Sequence, residues 1–234
     1  MFQNLSGRTI LVTGASSGIG RSTATEFARS SPNSLRLMLT ARRLDVLTEV
    51  AAEIKSEVGD GVKILTIQLD VSKPAEIHDF VERLPKEWGD IDVLVNNAGL
   101  AAGGMAKSPE ISPAHIDIMF ATNVTGLINM TQAILPTMLR RNKGDIINLN
   151  SIAGHEAYPR GSIYCVTKSA VRSYSDALRR ELIETKIRVM EVAPGQVETE
   201  FSVVRFGGDR SAAAKVYEGC EPLTPEDVAE VIVF

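Results

Sequence analysis

Arg8-Thr-Ile-Leu-Val-Thr13-Gly14-Ala-Ser-Ser-Gly18-Ile-Gly20-Arg21 is the stretch from which the fold can be read. The apolar run from Arg8 to Thr13 predicts a short buried strand. A helical pattern from Arg21 to Ser30 follows the glycines. A glycine-rich turn between strand and helix suits a dinucleotide pyrophosphate. Glycine lets the backbone approach phosphate, and a helix N-terminus offers unpaired N–H groups and the positive end of a dipole. Gly14, Ser16, Ser17, Gly18, Ile19 and Gly20 are the residues offered. Their spacing is G-x-x-x-G-x-G, not the commoner G-x-G-x-x-G, and any tight strand–helix turn is the competing reading.

The same alternation continues outward. Strands are expected at Leu35 to Ala41, Val62 to Leu69, Ile91 to Val95, Asp145 to Asn150 and Ile187 to Val192. Helices are expected at Leu44 to Val58, Ala75 to Leu84, Ser112 to Arg141 and Ser162 to Thr185, with a kink or break at Pro136. Strands alternating with helices imply an α/β fold with a parallel sheet covered on both faces. No repeat or linker interrupts the pattern, so residues 1–234 are expected to form one domain. Residues 200–223 loosen into short helical pieces around Gly207-Gly208 and read as a mobile substrate loop. Thr224-Pro225-Glu226-Asp227 then starts a helix, with an N-cap, Pro at the first position and acids in the first turn.

Sites in such sheets lie beyond the C-terminal strand ends. Gly14, Arg42, Asp70, Asn97, Ser151 and Pro194 all follow predicted strands there. Arg42 and Arg43 stand where a carboxylate would mark a free ribose 2′-hydroxyl, so they favour a 2′-phosphate and hence NADP. Asp70, followed by Val71, has two open readings: an acceptor for an adenine amino group, or a cap for the next helix. Asn97-Ala98-Gly99 can tie adjacent strands, approach a ribose, or simply turn the chain. Tyr164 and Lys168 are four apart and share a helix face. A free tyrosine titrates near 10, and a neighbouring ammonium lowers that value towards the working range. With Ser151 to hold an oxygen, the pair suits proton transfer to or from a carbonyl or alcohol. Asn123 lies mid-helix, where a satisfied polar residue is the plainer reading.

The net charge of −4 argues against nucleic acid or an anionic membrane as partner. No apolar run approaches the roughly 20 residues that span a bilayer. The first eight residues lack the charged and apolar regions of a secretory leader. Cys165 and Cys220 make neither a disulfide framework nor a metal site, which points to the reducing cytoplasm and to no bound metal.

Thr13-Gly14-x-x-x-Gly18-x-Gly20, Asn96-Asn97-Ala98-Gly99, Asn123, Ser151, Tyr164-x-x-x-Lys168 and Pro194-Gly195 resemble, in order and spacing, the motifs of the short-chain dehydrogenase/reductase family. The resemblance covers nearly the whole chain. It implies a Rossmann-like sheet of order 3-2-1-4-5-6. It also implies Tyr164 as general acid/base and Lys168 as its electrostatic partner and a holder of the nicotinamide ribose. Ser151 would orient the substrate oxygen, and Asn123 would support a water linked to Lys168. Asp70 and Val71 would lie at the adenine, Asn97, Ala98 and Gly99 at the ribose, and Pro194, Gly195, Val197 and Thr199 at the carboxamide side of nicotinamide. The stretches Leu84 to Asp92, Ser151 to Pro159, Val197 to Phe206 and Pro222 to Ala229 are similar to NADP-dependent serine and 3-hydroxy acid dehydrogenases of fungi and bacteria. That likeness implies a small hydroxy acid or carbonyl substrate. Arg205, a single arginine among apolar residues just after the nicotinamide segment, is a candidate for its carboxylate, with a solvent-facing arginine as the alternative. A carbonyl, sugar or steroid reductase and a non-catalytic NADP-binding protein are the rival readings. Such proteins continue past the position of Phe234 with a further edge strand. A truncated C-terminus, a missing edge strand and a weakened homo-tetramer are therefore expected.

Overall fold

The computed structural model describes residues 5–234; residues 1–4, on which the reading of the leader partly rests, lie outside it. Six strands form one parallel sheet in the order β3-β2-β1-β4-β5-β6. They are β1 (Thr9–Thr13), β2 (Arg36–Ala41), β3 (Lys63–Gln68), β4 (Val93–Asn96), β5 (Gly144–Leu149) and β6 (Ile187–Val192). Every residue of β1, β4 and β5 is buried, as befits central strands covered on both faces. The pleat divides β1 between two cores. Ile10 and Val12 pack with Phe27 of α1 (Gly18–Ser30), Leu47 of α2 (Leu44–Val58) and residues near the C-terminus. Leu11 faces the opposite side with Ile77 of α3 (Pro74–Glu82) and with Met130, Ile134 and Leu178 from later helices.

The stretch expected as one long helix is three pieces: α4 (Pro113–Phe120), a π-helical turn at Ala121–Gly126, and α5 (Leu127–Arg141). Pro136, where a kink was expected, sits inside an unbroken α5. The irregularity falls instead at Asn123, whose side chain donates to the Leu100 carbonyl and accepts from the Leu100 N–H, both at 2.8 Å. A helix wall has to widen there to present that amide inward, which is a usual place for a π-turn. The combined rod, Pro113–Arg141, spans 29 residues, and an 18-residue window within it has a mean hydropathy of 1.2, long and apolar enough to cross a membrane by length and composition alone. This corrects the expectation drawn from apolar runs. Met130, Ile134 and Met138 of the rod are buried against the sheet, as in a core helix.

α6 (Ser162–Glu181) ends four residues before the expected Thr185, and Leu182 to Lys186 turn into β6. Two short helices, α7 (Glu200–Arg205) and α8 (Arg210–Ala214), occupy the expected substrate loop. α9 (Pro225–Val233) carries the expected capping box between Thr224 and Asp227, and Val228 and Ile232 join the first core. β6 is an edge of the described sheet.

At the N-terminal edge of the sheet two buried aspartates lock four strands. Asp92 accepts from the Thr9 N–H at 3.0 Å and from Arg141 at 2.8 Å. Burial pushes its carboxyl up, but Thr9, Arg141 and Lys143 together outweigh that and hold it below the usual range. Asp145 receives Arg8 at 3.1 Å and a forked pair from Arg188 at 2.6 and 2.8 Å.

Candidate active site

β1 pairs with β2 on one side and β4 on the other, so the direction of chain winding reverses there and a crevice opens beyond the strand ends. A cleft of ≈ 1100 Å³ runs along it. Gly14 adopts φ 68° and Gly18 φ 53°, the left-handed region that only glycine enters freely. A Cβ on Gly20 would lie 2.3 Å from the Asn97 amide and 2.4 Å from the Gly14 carbonyl, so this glycine is fixed by close packing. Ser17 begins α1 without a side-chain cap, which leaves the first N–H groups of the helix for a ligand in the cleft. Arg43 donates to Ser16 at 3.2 Å and Ser17 at 3.4 Å, bringing a guanidinium beside that helix end, and Arg42 lines the same wall.

The Asn97 side chain donates to the Thr13 and Gly14 carbonyls at 2.8 and 3.3 Å. Of its open readings, the structure supports strand-tying. The Thr13 hydroxyl completes the tie by accepting from the N–H groups of Asn97 and Ala98, both at 3.0 Å, while donating to Val95. From sequence Thr13 is only a strand end; its role needs the β1–β4 pairing to be seen. Asp70 accepts from the Ser72 N–H and hydroxyl at 3.0 and 2.7 Å, so it holds the turn before α3, while also lining the cleft with Val71.

Ser151 leaves β5 and caps the short turn Ile152–Gly154. Its hydroxyl lies close enough to the Tyr164 phenol to pull the proton affinity of that phenol down, so the expected serine and tyrosine face the same cleft. Burial pushes the phenol well above its ordinary value, against the pull of the Ser151 hydroxyl and the positive charge of Arg205. In the protein alone, burial thus outweighs the lowering expected from Lys168. Lys168 is itself buried. Its ammonium lies 5.8 Å from the Tyr164 ring centre and donates to the Leu149 carbonyl at 2.8 Å. Burial pushes it down to about 8, with the Glu191 carboxylate pulling the other way. Asn123 also donates to Thr167 on α6 at 3.1 Å, so it pins the segment after β4, through Leu100, to the helix bearing Lys168. Pro194, Gly195, Val197 and Thr199 form the opposite lip, where Thr199 caps α7 and its methyl would be 3.2 Å from a Cβ on Gly18.

Arg205 is buried rather than solvent-facing. It donates to the Gly104 carbonyl and the Tyr158 hydroxyl at 3.0 Å each and to the Arg160 carbonyl at 3.4 Å. Among the described residues no carboxylate pairs with it. Phe201 packs edge-on to Tyr164 at 5.4 Å, and Tyr158 stacks under Arg205 at 5.6 Å. Neither aromatic stands out in the sequence; their only signal is an aromatic in each flanking loop of an aromatic-poor chain.

Residues 8–206 match the family described as "short chain dehydrogenase". The chain belongs to the short-chain dehydrogenase family. The chain is similar to an NADP-dependent 3-hydroxy acid dehydrogenase of Schizosaccharomyces pombe, 53% identical over 233 residues, 98% of this chain and 87% of that one. It is 40% identical over 228 residues to sulfoacetaldehyde reductase 2 of Chromohalobacter salexigens, covering 96% of this chain and 86% of that one. Among solved structures, the closed form of a serine dehydrogenase complexed with NADP+ superposes with a TM-score of 0.87 at 43% identity, over 96% of this chain and 87% of that chain. As a family member the chain is an oxidoreductase.

Proposed function

We propose that this short-chain dehydrogenase moves hydride between NADP(H) and the hydroxyl or carbonyl carbon of small 3-hydroxy acids such as L-serine or allo-threonine. The observation that carries the substrate class is Arg205, a buried guanidinium with neutral partners only, lining the same cleft as Ser151 and Tyr164. A buried cation without a counter-ion is costly, and a substrate carboxylate supplies the missing charge and a bidentate partner. Relatives named for hydroxy acids and for a sulfonated aldehyde share the pairing of an acid group with a nearby hydroxyl or carbonyl.

The glycine turn and the α1 N-terminus would hold the pyrophosphate, and Arg42 and Arg43 the 2′-phosphate. Asp70 and Val71 would flank adenine, and Asn97 to Gly99 and Lys168 the riboses. Pro194, Gly195, Val197 and Thr199 would meet the nicotinamide. Bound NADP supplies the hydride acceptor. Ser151 and Tyr164 hold the substrate oxygen between them. In oxidation Tyr164, as phenolate, takes the hydroxyl proton; in reduction the protonated phenol returns it. Lys168 steadies the phenolate by charge, and Asn123 holds the helix that carries both. Arg205 fixes the carboxylate, so that the carbinol carbon lies in one orientation.

We further place the enzyme in the cytoplasm as a homo-oligomer. Both cysteines are free, and half-exposed Val166 on α6 leaves apolar surface for a second copy. Arg205→Ala is the direct test of substrate class. It is expected to cut kcat/KM on a 3-hydroxy acid by roughly 10-fold to 100-fold more than on a matched alcohol without the carboxylate, the scale of a charged hydrogen bond. Equal losses on both substrates would contradict it.

A further inference from the structure

Thr199-Glu200-Phe201-Ser202-Val203-Val204-Arg205 carries the chain from the nicotinamide lip over the cleft. The Thr199 hydroxyl accepts from the Phe201 N–H at 3.2 Å and so fixes where α7 begins. Phe201 and Arg205 are four apart and share one face of this helix. Its middle is held by Ser202, whose hydroxyl lies 2.7 Å from that of Tyr217, and Tyr217 donates onward to the Val197 carbonyl at 3.1 Å. Its far end is clasped to the loop after β4. The Gly104 N–H donates to the Arg205 carbonyl at 2.8 Å, and Arg205 Nε donates to the Gly104 carbonyl at 3.0 Å. In this setting the partly buried Phe201 ring lies 5.4 Å from the Tyr164 ring, with the two planes at 61°. It also packs on a small apolar cluster of Leu100 and Ala101, Ile118 and Met119 of α4, and Ile163 of α6. Among the described residues after β6, Phe201 alone joins that cluster.

We propose that Phe201 is a specificity-determining residue, the wall beside Tyr164 that limits how far the carbon chain extends beyond the reacting carbon. The reacting carbon is tetrahedral, and three of its directions are already taken. The oxygen goes to Ser151 and Tyr164, the hydride to nicotinamide, and the arm bearing the carboxylate to Arg205. Arg205 stands roughly 6 Å further along α7 than Phe201, one turn on. The fourth substituent therefore points towards the Phe201 end of the helix. In serine it is a hydrogen and in allo-threonine a methyl group. A longer chain meets an aromatic ring backed by packed side chains on a helix tied at its start, middle and end, and such a wall does not yield without losing those contacts. This assignment deepens the hydroxy-acid reading and rests on it for the direction of the chain.

Binding can be read without turnover, because NADPH and a hydroxy acid are both in the reduced form and do not react. The fluorescence of NADPH on the full chain is titrated with straight-chain 3-hydroxy acids of four, six and eight carbons, and with matched secondary alcohols that lack the carboxylate. Wild type is expected to bind the four-carbon acid at least about tenfold more tightly than the eight-carbon acid. Phe201→Ala is expected to shift that ratio by at least about tenfold towards the longer acid, since each methylene that gains apolar cover adds about fourfold. Phe201→Leu keeps part of the wall and is expected to shift the ratio by about threefold, which carries the test should the alanine variant fail to fold. A merely structural role would weaken every length by the same factor. A wild type indifferent to chain length, or variants that leave the ratio unchanged, would overturn the proposal. If acids and matched alcohols bind alike at every length, the hydroxy-acid reading fails, while the ratio across the alcohols still decides whether Phe201 walls off the chain.

Discussion

The protein alone holds the Tyr164 proton tightly, and this is the form needed to protonate a carbonyl oxygen. Burial dominates, and the Ser151 hydroxyl and Arg205 charge only moderate it. Lys168 approaches the ring without bonding the hydroxyl, its proton being given to Leu149. General acid–base catalysis by such a residue contributes about 10² to 10⁴-fold. Tyr164→Phe is accordingly expected to bind NADPH as wild type does, by fluorescence titration, while kcat falls by about that factor; near-normal turnover would refute the assignment. The pair was legible in sequence as a one-face spacing of four. The direction of the tyrosine's shift was not, because desolvation depends on what the other elements pile onto the ring.

At the scale of elements, six strand ends were readable because apolar runs, glycine turns and following helices agreed with one another. Along Ser112–Arg141 the intrinsic tendency of proline to break a helix does not decide where the helix departs from regularity. In the fold the decisive constraint is Asn123 reaching for the Leu100 backbone, a contact between residues 23 apart. The β1–β4 junction depends on a similarly long-range tie. Thr13→Val preserves the shape of the side chain but removes the acceptor that serves the Asn97 and Ala98 N–H groups. A buried donor left unsatisfied costs about 1–3 kcal/mol. Urea denaturation should show a loss on that scale with little change in slope; a loss of under about 0.5 kcal/mol would show that the tie is dispensable.

Across the whole molecule, the site at one sheet edge stands on an ion-pair network at the other. Asp92 joins the start of β1 to β4 and to the end of α5, and Asp145 joins Arg8 to β6. Asp92 titrates lower in the fold than in the unfolded chain, so its contribution is present above the unfolded value and is lost as pH falls through the folded one. Asp92→Asn should therefore lower Tm clearly at pH 7 and progressively less below about pH 4. An equal deficit at both pH values would contradict the charge origin. Order and spacing of the chain's motifs made the family readable, and the cradle at Gly14 to Gly20 with Arg42 and Arg43 made the cofactor readable. The substrate class needed burial to be known, since Arg205 looks like any loop arginine until the fold encloses it.

One assay bears on cofactor and substrate together. Purified protein is incubated with NADP or NAD and a panel of L-serine, allo-threonine, other small 3-hydroxy acids and matched alcohols without the acid group, and reduced-nicotinamide absorbance is followed. Expected is turnover of 3-hydroxy acids with kcat/KM at least about tenfold higher for NADP than for NAD and for the acids than for the matched alcohols, a margin of about 1.4 kcal/mol for each preference. Turnover that ignores the carboxylate, or an equal response to NAD, would contradict it.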